Sequence, residues 1–136
     1  MIMRHAYGYI AFAAIWLTAT TGSAATQLTV YTAISIEETD RVTRAFAASQ
    51  PDIELRWVRD STDRILTRLR HEIQQPKADM IWGVAASALS GLASDGYFQP
   101  YAPRGFNRLD RRFSDPNEPP LWVGQRVWTS ALCVNT

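Results

Sequence analysis

The chain has 136 residues, with 14 Lys and Arg against 13 Asp and Glu, two His and one Cys. With Arg4 set aside in a leader the charges balance, which argues against a general binder of nucleic acid or acidic membrane. The lone Cys133 excludes an internal disulfide, and with His71 it supplies too few ligands for a Cys/His metal site.

Residues 1–25 read as a cleaved secretory signal peptide. Arg4 supplies a basic start, Ala6 to Thr20 is mostly apolar and uncharged, and Gly22-Ser23-Ala24-Ala25 suits a signal peptidase. The competing reading is an uncleaved anchor, since Ala6 to Ala25 is just long enough to span a bilayer. Thr18, Thr20, Thr21, Gly22 and Ser23 make its second half too polar for that. The expected address is therefore outside the cytoplasm, in an oxidising compartment, and residues 26–136 are long enough for one domain with a core.

Leu28 to Thr32 is a β-rich run, read as a buried strand. Ser35-Ile36-Glu37-Glu38 matches a capping box, with Ser35 as N-cap and Glu38 reaching back. The spacing predicts a helix over Ile36–Ser49, stopped by Pro51, with Thr39, Val42, Phe46 and Ser49 on one side.

Ile53 to Val58 repeats the plan. Ile53, Leu55 and Trp57 share one strand face, and Glu54 and Arg56 share the other, which predicts a place near the sheet edge. Asp60, Ser61 and Thr62 stand where an N-cap belongs. A helix is expected from Thr62 to Gln74, with Ile65, Leu66, Leu69 and Ile73 as its apolar stripe. Its arginines fall outside that stripe, on a solvated face.

Ala78 to Trp82 is the third strand. Gly83 lets the backbone approach a ligand or a neighbouring strand closely. A helix is expected to run to Ser94, with Leu89, Leu92 and Ala93 inward and Asp95-Gly96 as its C-cap.

Tyr97 to Pro120 is rich in proline and holds Arg104, Arg108, Arg111 and Arg112, expected to pair with Asp110, Asp115 and Glu118. Leu121 to Thr136 looks extended.

Repeated strand–helix–strand units imply an α/β fold, a mainly parallel sheet with helices on both faces. Ligands of such sheets sit beyond the C-terminal strand ends. Three corners lie there, after Tyr31, after Trp57 and after Trp82. Helix N-termini present unpaired N–H groups and roughly half a positive charge, which suits an anion.

Thr32, Ser35, Ser61, Thr62 and Ser87 add hydroxyls, and Arg59 is the exceptional cation. Asp60 suits either an ammonium on the same ligand or the N-cap of the second helix. Tyr31, Trp57 and Trp82 lie near strand ends, where aromatics are more often core than ligand wall.

An enzyme and a partner-binding module are the rival classes. The chain has no Gly-x-Ser-x-Gly elbow, phosphate loop or metal pair. Asp60 and Asp79 are the one carboxylate pair worth weighing for catalysis. No cofactor is expected.

These stretches carry a resemblance: Leu28-Thr29-Val30-Tyr31-Thr32-Ala33, Trp57-Val58-Arg59-Asp60-Ser61-Thr62, Ala78 to Ser87, Tyr101-Ala102-Pro103-Arg104-Gly105, and Trp122-Val123-Gly124 with Val127-Trp128. In their order and spacing the chain resembles the N-terminal part of periplasmic solute-binding proteins of ABC importers. Within the class holding iron(III)- and 2-aminoethylphosphonate-binding members, it is most similar to the latter.

The resemblance implies an incomplete type II periplasmic-binding-protein-like fold, a three-layer lobe truncated before the second lobe. It implies capture of a phosphonate-like oxyanion, with iron(III) as the alternative cargo, and docking on an ABC permease in the inner membrane. Thr32, Ala33, Ser61, Thr62 and Ala85 would line one cleft wall, beside Asp60, Gly83 and Ser87 from the corners. Asp63 stands where relatives commonly carry glycine; a carboxylate there favours the helix dipole and repels an anion if it faces the cleft. A single wall is expected to bind its ligand weakly, and the exposed sheet edge and final apolar run are expected to promote aggregation.

Overall fold

The computed structural model describes residues 25–128. The signal-peptide reading, but for Ala25, and the end of the final apolar run with Cys133 fall outside these residues.

The sheet is built on β1 (Thr26–Thr32), flanked on both sides by parallel strands. One neighbour is β2 (Ile53–Arg59) and the other is β3 (Met80–Trp82), giving the order β2-β1-β3. Val30 lies opposite both Trp57 and Met80, and Thr32 lies opposite both Arg59 and Trp82. The charged face of β2 shows at the sheet edge, with Glu54 and Arg56 exposed.

Helices α1 (Ile36–Ser49) and α2 (Thr62–His71) take opposite faces of this sheet. The strand order requires it: the crossover from β1 to β2 runs one way, that from β2 to β3 runs back, and both are right-handed by default. Side chains agree. Val30 and Tyr31 point to opposite faces because strands alternate. On the Val30 face, Trp57 Nε1 donates to Thr43 Oγ1 of α1 at 2.8 Å. On the Tyr31 face, the phenol donates to Glu72 Oε2, just past α2, at 2.8 Å. Arg68 of α2 sits 5.8 Å from the Tyr31 ring centre. Burial, and then the Glu72 carboxylate, push the Tyr31 phenol above its ordinary pKa. The result is an α/β lobe of three layers, with Val30, Tyr31, Ile34, Ile65 and Leu92 as its buried apolar core.

Helix α1 has the predicted bounds, and Ser35 caps it by accepting from Glu38 N. Glu38 does not complete the capping box; its carboxylate pairs with Arg126. The predicted extension of α2 to Gln74 is corrected. The Glu72 N–H already closes the helix on Arg68 O and Leu69 O, while its carboxylate is drawn to Tyr31. Ile73 therefore leaves the apolar stripe and is 49% exposed, whereas Ile65 is 0% exposed. Ile65→Ala is expected to cost about 2–5 kcal/mol in urea melts, and Ile73→Ala less than about 0.5 kcal/mol.

β3 is also shorter than predicted. Asp79 joins β1 partly through its side chain, with Thr29 N donating to Asp79 Oδ2 at 2.7 Å and Asp79 N donating to Thr29 O at 2.9 Å. The third helix, α3 (Ala86–Ser94), ends as expected, with Asp95 as C-cap and Gly96 at φ 79°.

Beyond α3 the described chain is irregular, with 3₁₀ turns at Phe106–Arg108 and Arg111–Phe113 and one antiparallel bridge from Ser114 to Val123. Two of the expected ion pairs form there, Arg112–Asp110 at 2.7 Å and Arg111–Glu118 at 2.9 Å. The third does not: Asp115 takes amide donors instead of an arginine. No helix among the described residues is long and apolar enough to cross a membrane.

Candidate functional site

Parallel pairing puts the three strand-to-helix corners on one edge, because all three strands end together there. Thr32 joins them. Its hydroxyl donates to Trp82 O at 2.7 Å, and accepts from Ile34 N at 3.3 Å. Its carbonyl accepts from Asp60 N at 3.0 Å. One threonine thus ties the β2–α2 and β3–α3 corners to β1. It is 0% exposed and its hydroxyl is occupied by these two bonds, so its side chain shapes the edge from beneath.

The other predicted residues are gathered at the same edge. Ala33 is half-buried just above Thr32. Ser61 is exposed and is itself the N-cap of α2, its Oγ accepting from Arg64 N at 3.4 Å. Asp60 is therefore not the cap. Its carboxylate accepts from Ser61 N at 2.8 Å and lies 3.7 Å from Arg64, so it braces the corner. Thr62 opens the helix and is half-buried.

Gly83 has φ 67°, a left-handed conformation, and a Cβ there would overlap the Ile34 Cγ2 methyl. The close approach foreseen at Gly83 is to the neighbouring corner. Ala85 is the N-cap of α3 and makes no side-chain cap bond. The first N–H groups of α3, on Ala86 and Ser87, are thus left without a capping side chain, at the positive end of a helix. Ala85, Ala86 and Ser87 are all exposed. Of the three corners, this one has the barest backbone donors.

Trp57 and Trp82 pack edge to face beneath the edge, 6.2 Å apart at 71°. Both lie on the α1 face with Val30 and Thr32, as their register requires, so they are floor and not cleft wall. Asp60 and Asp79 are not brought together. One bonds β1 at Thr32 and the other at Thr29, on opposite sides of that strand. His71 is exposed at the far end of α2.

The sequence reading missed Arg126. Its ion pair with Glu38 holds a cation at the first turn of α1, beside the Thr32–Ser35 corner. Nothing local pointed to it, because Glu38 reads as the capping-box partner of Ser35.

No protein-family model matches the chain, and no curated protein matches it in sequence. Solved structures do match its fold. The structure of FutA (IdiA) from Trichodesmium, in complex with iron and citrate, aligns at a TM-score of 0.63 and 18% identity, over 72% of this chain and 30% of that one. Iron-bound HitA from Pseudomonas aeruginosa aligns at 0.62 and 17%, over 68% and 30%. The periplasmic binding protein P5PA aligns at 0.53 and 22%, over 67% and 27%. The likeness is one of fold: this α/β lobe has the type II periplasmic-binding-protein architecture. The chain spans about 30% of the length of the first two structures.

Proposed function

We propose that this chain is the N-terminal lobe of a periplasmic solute-binding protein serving an ABC importer, a binding protein and not an enzyme. In this reading residues 1–25 are its leader, residues 26–136 are the lobe, and its partner is a permease in the inner membrane. The observation that carries it is the gathering of three helix N-termini at one strand edge around Thr32. The shared fold with periplasmic binding proteins supports it.

The ligand in this proposal is a small organic oxyanion such as 2-aminoethylphosphonate. The uncapped N–H groups of α3, the exposed Ser61 and Ser87 with Ala33, Thr62, Gly83 and Ala85, and Arg126 at α1 would receive it. Asp60 would face its ammonium. Hydrogen bonds to a charged group contribute roughly 1.5–3 kcal/mol each, so these donors would supply one wall's share of the affinity. Iron(III) is the second reading, favoured by the two iron-bound structures of the same fold. Among the described residues no three His, Cys, Asp or Glu side chains converge.

Calorimetry on the protein carrying this chain, with 2-aminoethylphosphonate, phosphate and ferric citrate in turn, separates the readings. Tight binding of ferric citrate alone replaces the phosphonate with iron. Ala86→Pro tests the site itself. Proline is tolerated at the first position of a helix, and Ala85 at φ −62°, ψ 140° already has the backbone that must precede it. The variant deletes one N–H donor and keeps the helix. It is expected to weaken phosphonate binding roughly ten- to a hundredfold, with no change in the circular dichroism spectrum.

A further inference from the structure

Away from the strand-end corners, the second half of α3 faces the loop at residues 115–122 across an open cavity of about 290 Å³. Ser90, Ser94, Asp115, Asn117 and Trp122 line it. Ser90 and Ser94 lie one and two turns along α3 from Ala86, about 6 and 12 Å from the corner.

Asp115 is 6% exposed, yet no cation pairs with it among the described residues. Its Oδ2 accepts from Leu121 N at 2.9 Å, Asn117 Nδ2 at 2.9 Å and Asn117 N at 3.3 Å. These donors, the Leu121 N–H foremost, hold its carboxyl below the ordinary aspartate range, so it is charged at neutral pH. Its Oδ1 accepts nothing from the described residues.

Both serine hydroxyls have spent their donors inward. Ser90 Oγ donates to Ala86 O at 3.1 Å, Ser94 Oγ donates to Ser90 O at 3.0 Å, and the Asn117 amide donates to Asp115. The two serine hydroxyls thus keep only acceptor lone pairs. The C-terminal end of α3, with its negative dipole, closes the same side. A charged carboxylate with one oxygen unbonded among the described residues, serine hydroxyls left with acceptor lone pairs, a helix C-terminus and an indole ring favour one ligand type, a cation that carries hydrogen-bond donors.

We propose that this cavity binds a small organic ammonium, its N–H groups shared by Asp115 Oδ1 and the hydroxyl oxygens of Ser90 and Ser94, and its alkyl part against Trp122. The site is separate from the oxyanion edge and does not depend on the importer reading.

The test is calorimetry of n-butylammonium against the protein carrying this chain, with n-butanol, tetramethylammonium and calcium as comparators. Butylammonium is expected to bind saturably, while butanol lacks the charge and tetramethylammonium lacks the donors, so neither binds. Ser94→Leu fills the cavity from the α3 side, leaves the residues of the Asp115 loop unaltered, and is expected to weaken butylammonium at least about tenfold. Ala86→Pro is expected to leave it unchanged. Absence of saturable binding, equal binding of butanol, preference for calcium, or full binding by Ser94→Leu would each overturn the proposal.

Discussion

Gly83→Ala is expected to destabilise the lobe by about 2–5 kcal/mol. Two costs combine. The left-handed φ of 67° costs an L-residue roughly 1–2 kcal/mol, and overpacking against a buried neighbour costs roughly 1–3 kcal/mol more. That neighbour is Ile34, itself only 6% exposed, on the opposing β1–α1 corner. Urea unfolding measures the loss, and a double-mutant cycle with Ile34→Ala separates the two terms. Truncating Ile34 is expected to be less damaging in the Gly83→Ala background than in the parent, because the overlap has been removed. Equal costs in both backgrounds would mean that the corners do not meet at Gly83.

Thr32→Val should cost roughly 2–4 kcal/mol, although it preserves shape. The valine leaves Trp82 O without its hydroxyl donor and Ile34 N without its acceptor, each buried loss costing about 1–3 kcal/mol. Thr32→Ser keeps both bonds, removes one methyl and should cost about 1 kcal/mol. The comparison bears on function as well as stability. If Thr32 held the ligand directly, both variants would melt like the parent and only Val would bind poorly. If it is the latch between corners, loss of binding in Thr32→Val tracks loss of stability, and Ser rescues both. The buried, fully occupied hydroxyl predicts the second outcome.

Much of this architecture is legible in single residues. Ser35 announces the start of α1, because a hydroxyl three residues before a helical N–H satisfies it locally. Pro51 stops α1, and the charges of Glu54 and Arg56 mark β2 as an edge strand, since neither could be buried on a covered face. The parallel α/β plan follows from strand and helix periods alternating along the chain. The corners follow from that plan, because parallel strands all end at one edge.

Other features were hidden for an equally physical reason. Ile73 continues the apolar spacing of α2, but the Glu72 carboxylate is recruited by Tyr31, forty-one residues earlier in sequence, and the helix ends there. The same competition takes Glu38 out of its capping box and gives it to Arg126. Asp115 looked like an arginine partner and instead gathers the amides of its own loop.

The sequence by itself determined what is local: where helices begin, which strand faces are apolar, and which residues reach the edge at the C-terminal strand ends. Those choices rest on backbone geometry and nearest neighbours along the chain. Tertiary structure decided what each polar group at that edge does. Thr32 lies at a strand end in any reading of the sequence. Only the pairing of β1 with β3, fifty residues apart, aims its hydroxyl at Trp82 O and away from solvent. A side-chain donor makes the bond that its nearest buried acceptor demands, and the strand pairing brought that acceptor there.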